Sequence, residues 1–329
     1  MNRWKGKLTY TALQTTVIFV YFLLAVGFYA QASDVTHIAF TSMRTGDNDI
    51  YMMEINGKNL QNLTNHLAND FSPAFSPDGQ WMAYVSNRDG RSGIYLMNLA
   101  TKKSRRLTTP QSANTEPEWS PDGESIAFVS NRANRANQYD VYRINVNSLE
   151  FQQLTNEGDN YNPTWSPDGQ SIAFSSKRDG EVFSVYVMTA DGRRQRKLTQ
   201  GSNPTWSPDG KQIAYTLGIA GNGVYIMSAE GQNSRRVTPD NIWSDKPAWS
   251  PDGQWIAYEA ELDPWGNPNI KPDANIYLVN PAGGKPRRLT DHPARDRFPA
   301  WVPTSSFSVS PTAETQTTLW SKLKKSDSD

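Results

Sequence analysis

The chain has 329 residues, with 33 Lys+Arg balanced by 33 Asp+Glu, three His and no Cys. Zero net charge argues against a nucleic-acid phosphate surface as the main contact. The lack of cysteine excludes a disulfide framework, a thiolate nucleophile and any Cys-ligated metal. The 37% hydrophobic and 11% aromatic content supports a packed core, and 21 Pro, 22 Gly and 11 Trp point to a turn-rich β body.

The first 32 residues carry no acid, and Arg3, Lys5 and Lys7 give a positive start. An apolar run from Val17 to Ala30 follows, and Ala30-Gln31-Ala32 supplies the small-x-small pattern of a signal-peptidase site. Cleavage after Ala32 is expected. The alternative is an uncleaved anchor, because the uncharged stretch extends back to Leu8 and a spanning helix needs about 20 residues. Either way the remainder is expected to be exported, periplasmic or extracellular, with membrane contact only if the segment stays attached.

The body repeats itself. SPDG occurs at 76–79, 120–123, 166–169, 207–210 and 250–253, each time after an aromatic residue: Phe75, Trp119, Trp165, Trp206 and Trp249. Trp301-Val302-Pro303 is a sixth, decayed copy, and successive aromatic positions lie 44, 46, 41, 43 and 52 residues apart. That period fits one four-stranded propeller blade per repeat.

Within each unit a Pro-x-Trp-Ser strand runs into the SPDG turn, where Pro pre-sets the turn, Asp caps it and Gly takes positive φ. An apolar second strand follows, of the type Ile38-Ala39-Phe40, and its lack of alternation predicts cover on both faces. A third strand centres on Tyr51, Tyr95, Tyr142, Tyr186, Tyr225 and Tyr277, and a fourth ends in Leu-Thr or Val-Thr. Residues 37–64 lack a first strand, whereas Arg297–Pro303 is a first strand with nothing after it. The fold class expected is therefore all-β, a six-bladed propeller over 33–303 in which the C-terminal strand completes the first blade. Residues 304–329 read as a polar, disordered tail.

The Leu-Thr…Pro-x-Trp-Ser-Pro-Asp-Gly series resembles the TolB-type propeller repeat, a WD40-like family, over nearly all of the exported part. The resemblance implies an exported bacterial binding module. In TolB itself a separate α/β domain precedes the propeller, which binds a peptidoglycan-associated lipoprotein. Here about five residues separate the expected cleavage site from the first strand, so the resemblance is to the propeller without that domain.

Turn chemistry accounts for the five SPDG aspartates, which spacing alone would offer as a metal ring. The opposite face varies. Its longest loop, Ala260 to Ala274, carries Trp265 between Pro264 and Gly266, a candidate partner anchor. The position three before each first-strand Pro holds Asp70, Asn114, Asn160, Gly201, Ser244 and Asp296, expected near the channel mouth close to Glu116, Tyr161 and Asp245. Arg44, Arg88, Arg132 and Arg178 recur after the second strand, either as an arc that grips anions or as partners of loop acids such as Asp89 and Asp179. His66 and His292 occupy equivalent positions in loops that ring closure makes neighbours, and with Asp70 and Asp296 they form the one N/O metal candidate.

No G-x-S-x-G elbow occurs, and 26 residues after Pro303 leave no room for a hydrolase domain. The expected function is a non-enzymatic binding module for a protein or envelope polymer, a monomer without cofactor. The alternative is a metal-assisted glycan hydrolase or lyase at the channel mouth that uses His66 and His292.

Overall fold

In the computed structural model, residues 36–133, 138–218, 223–240, 242–261 and 274–303 are described. They form six antiparallel four-stranded sheets, and no helix occurs among them. Blade 1 is the sheet in which Asp296–Val302 pairs with His37–Ser42, followed outward by Asp49–Glu54 and Gln61–Asn62. Blades 2 to 6 follow in chain order, with innermost strands Asp70–Phe75, Asn114–Trp119, Asn160–Trp165, Ser202–Trp206 and Trp243–Trp249. Ring closure is as expected: His37 pairs with Val302, Ile38 with Trp301 and Ser42 with Asp296.

The repeated motifs have identifiable physical jobs. In each SPDG turn the serine hydroxyl donates to the aspartate Oδ1, at 2.5 Å in Ser76–Asp78 and Ser120–Asp122. The same Oδ1 accepts the next backbone N–H, from Gln80 at 3.0 Å and Glu124 at 2.9 Å. These hydrogen bonds hold the Asp122, Asp168 and Asp209 carboxyls below their ordinary range. The glycine sits at φ 67–71°, where a side chain is strained.

The terminal Thr of the Leu-Thr motif ends the fourth strand by chemistry. Thr64 Oγ1 accepts the Ile50 N–H at 3.0 Å, and Thr108, Thr155, Thr238 and Thr290 do the same for Ile94, Val141, Val224 and Ile276. Each hydroxyl satisfies a third-strand donor where the backbone ladder stops.

The core is divided among the joints between neighbouring blades. At the blade 1–2 joint, Met82 and Tyr84 of one second strand pack with Ala39 of the other. Ile126 and Phe128 meet Ala83 at the next joint, and Ile38 and Phe40 meet Ala257 at the closing one. The Ile-Ala-aromatic tripeptide is thus a large–small–large pattern: Ala lies on the face that the neighbour's aromatic ring fills, which preserves interior packing density.

Candidate functional site

The six innermost strands line a central cavity of about 350 Å³. Each bulges at the residue before its proline, with a shift in register such as that between Phe71 and Ala74. Those six residues, Ser72, Glu116, Asn162, Asn203, Lys246 and Phe298, all take positive φ of 50–53°. The following Pro disfavours the right-handed helical region for its predecessor, and a left-handed non-glycine residue is uncommon. Repetition in all six blades makes it a built feature that re-aims these side chains at the lumen.

The Pro-x-aromatic frame that follows is constant, yet this position reads Ser, Glu, Asn, Asn, Lys and Phe. One side of the ring is polar. Glu116 Oε2 accepts the Asn162 backbone N–H at 2.6 Å, and its Oε1 accepts Asn162 Nδ2 at 2.8 Å. Lys246 Nζ lies 3.6 Å from Glu116 Oε1. Because Glu116 is in blade 3 and Lys246 in blade 6, this ion pair crosses the channel. Asp245 Oδ1 accepts Asn203 Nδ2 at 2.6 Å and the Thr216 hydroxyl at 2.7 Å. The other side is aromatic: Phe71 and Phe298 have ring centroids 6.3 Å apart, and Lys246 Nζ lies 5.5 Å from the Phe298 centroid.

Two carboxyls deep in the ring are perturbed. Burial pushes Glu118 up to about 7 although it faces the lumen. Burial, and then the Asp245 charge, raise Glu259, whose Oε2 accepts the Phe298 N–H at 3.1 Å. For Glu118 the folded value lies above the ordinary 4.5, so the folded state binds its proton more tightly than the unfolded chain. Its contribution to stability is full below about 4.5 and is lost as pH rises through about 7. Urea unfolding across that window should therefore show a flatter pH dependence in Glu118→Gln than in the parent; parallel profiles would refute the assignment.

The residues singled out in the sequence fall in different places. Glu116 and Asp245 belong to the channel network. Asp70, Asn114, Asn160 and Asp296 are fully buried, and each is held by the recurrent arginine of its own blade. Arg44 Nη2 lies 3.0 Å from Asp296 Oδ1, Arg88 Nη2 2.8 Å from Asp70, Arg132 Nη2 3.1 Å from Asn114 and Arg178 Nη2 3.2 Å from Asn160. Each Nε also donates to the serine ending the second strand, Ser42, Ser86, Ser130 or Ser176, at 2.8–3.1 Å. Each guanidinium lies over the aromatic pair of its blade, as Arg88 does over Tyr84 and Tyr95.

Asp89 and Asp179 instead accept the hydroxyls of Tyr95 and Tyr186, and are approached by Arg106 and Lys197. The inner-strand partner wins for Arg88 and Arg178 because it lies inside the blade, where a buried polar group needs one.

Tyr161 joins an aromatic cluster with Tyr139 and Phe183, with centroids 5.4 and 5.7 Å away, and its hydroxyl pKa is raised by burial. His66 and His292 each use Nδ1 to accept a backbone N–H two residues on, from Ala68 and Ala294. Among the described residues no group of three or more His, Asp or Glu is arranged to hold a metal ion. Trp265 lies outside the described residues.

Sequence reasoning missed Ser72, Asn162, Asn203, Lys246 and Phe298. The available signal was variation at the position just before a fixed Pro-x-aromatic frame.

The fold recurs in solved structures. TolB from Acinetobacter baumannii superposes with a TM-score of 0.71 at 24% identity, covering 82% of this chain and 68% of that one. A TolB from Agrobacterium tumefaciens gives 0.63 at 22% identity, over 78% and 88%. A structure of oligogalacturonate lyase in complex with manganese gives 0.56 at 18% identity, over 79% and 75%. In sequence, a 47-residue stretch, 14% of this chain, is 43% identical to the protein TolB homolog of Chlorobaculum tepidum and covers 11% of that relative's length. The TolB beta propeller domain model matches residues 29–202 and 155–270, most of the ring, and the chain belongs to that family.

Proposed function

We propose that this chain is an exported, non-enzymatic propeller that holds a protein or an envelope polymer at the end of its channel. The observation that carries this reading is the six-fold left-handed ring. A repeated backbone presents six side chains of five kinds to one lumen, five polar and one aromatic, at a cost in backbone strain. A ligand reaching the ring exchanges its own polar groups for the Glu116–Lys246 pair and packs apolar groups on Phe298. Trp265, from the longest loop in the sequence, is the proposed peripheral anchor. Export rests on the N-terminal basic and apolar segment.

The test is capture from a solubilised envelope fraction with immobilised residues 33–329. The parent is expected to retain a partner that both Glu116→Ala/Lys246→Ala and Trp265→Ala deplete. Equal capture by the parent and both variants would rule this face out.

A further inference from the structure

The opposite face, built from the SPDG turns, carries a second cavity that the channel reading does not use. It lies at the joint of blades 2 and 3 and measures about 400 Å³, within the range of small-ligand sites. Trp81 and Leu96 of blade 2 and Trp119 of blade 3 form apolar walls, Asp78 and Asp122 stand in the two flanking turns, and Arg105 reaches in from the fourth strand.

Three of the other five blades provide an internal control for Arg105, which is paired in register with Leu96; the equivalents in blades 1 and 4, Gln61 and Arg196, are exposed. In blade 3 the equivalent residue is Gln152, opposite Arg143, and its Nε2 donates across the joint to the Asp191 carbonyl at 3.2 Å. In blade 5 it is Arg235, opposite Ile226, whose Nη2 donates to the Pro281 carbonyl at 2.6 Å. In blade 6 it is Arg287, opposite Leu278, which lies 5.5 Å from the Trp255 ring centroid. Arg105 has neither kind of contact: its Nε is buried without a hydrogen-bond partner. A buried donor left unpaired is costly, so an acceptor brought by a ligand would be favoured there.

The lining restricts what that ligand is. A purely apolar molecule would pack on the two indole faces but leave Arg105 Nε and Trp119 Nε1 without acceptors. A simple carboxylate would satisfy Arg105 but would face Asp78 and Asp122, of which Asp122 is held ionised by its turn hydrogen bonds. Each aspartate engages its turn through Oδ1, so Oδ2 lies outside those bonds and remains an acceptor for a ligand hydroxyl. A pyranose ring meets all three demands. Its C–H face packs on indole, its hydroxyl oxygens accept from guanidinium, and its hydroxyl protons go to carboxylates.

We infer that the blade 2–3 joint is a saccharide-binding site, independent of the channel, that takes one or two pyranose rings between Trp81 and Trp119 with Arg105 and the two turn aspartates as polar partners.

Saturation-transfer NMR on the full exported chain tests this with three probes: cellobiose, N,N′-diacetylchitobiose and digalacturonate. The three separate a neutral, an acetamido and an acidic sugar. At least one is expected to give saturable transfer at concentrations up to about 10 mM. Its affinity should fall about tenfold or more in both Trp81→Ala and Arg105→Gln, while Arg287→Gln, at the equivalent place in blade 6, should match the parent. Arg105→Gln reproduces the residue type found in blade 3, so it guards against a loss of folding being read as a loss of binding. No saturable transfer from any probe, or transfer unchanged in Arg105→Gln, overturns the site.

Discussion

A chain ended at Pro293 is expected to lose the cooperative unfolding transition that a chain ended at Pro303 retains. The difference between the two is the strand Asp296–Val302, which supplies the innermost position of blade 1 from the far end of the sequence. It contributes Trp301 and Val302 to the core on both sides of blade 1, and its Asp296 pairs with Arg44. Replacing a buried Trp by Ala typically costs about 3–5 kcal/mol. Total stabilities run about 5–15 kcal/mol, so removal of the whole strand exceeds what a domain normally holds in reserve.

It also leaves His37–Ser42 as an unpaired edge, an invitation to strand pairing between molecules. Urea unfolding followed by tryptophan emission, with size-exclusion chromatography for association, reads both effects. A Pro293-ended chain within about 1 kcal/mol of the longer one would show that closure is not what holds the ring.

The second large effect is expected at the arginine latch of blade 2. Asp70 is 0% exposed, while the Arg88 side chain is 20% exposed. Burial raises the Asp70 carboxyl despite the hydrogen bond from Ser86 and the Arg88 charge, so the carboxylate depends on that arginine. Arg88→Ala leaves a buried acid without its cation and should cost about 3–5 kcal/mol at neutral pH. The loss should shrink as pH falls, because protonation removes the charge that the interior disfavours.

Asp70→Asn should cost far less, about 1 kcal/mol or below, because blades 3 and 4 already use Asn114 with Arg132 and Asn160 with Arg178 in the same geometry. Placing Asp70→Asn in the Arg88→Ala background should recover much of the loss, a coupling that a double-mutant cycle measures directly. Equal costs for Arg88→Ala and Asp70→Asn would show that packing, and not the charge, sets the latch.

The same latch shows why part of the site was hidden in the sequence. The recurrence of Arg44, Arg88, Arg132 and Arg178 was legible, and so was Asp or Asn three residues before the proline in the same four blades. That the two series are donor and acceptor of one interaction was not. Arg88 and Asp70 are separated by 18 residues, with Asp89 much closer in sequence, and only the antiparallel register that sets Asp70 against Ser86 brings the right pair together. The Glu116–Lys246 pair is further from reach, since it depends on which blades face each other across a closed ring.

Local chemistry determined the strands, turns and closure, because SPDG, Ile-Ala-aromatic and Leu-Thr each act within one blade or against an identical neighbour. A motif repeated at blade spacing therefore determined the architecture from the sequence alone. The channel, its crossing ion pair, the six left-handed residues and the unpaired Arg105 were decided by tertiary structure. Each arises where copies of the repeat that carry different side chains are forced by ring closure to meet.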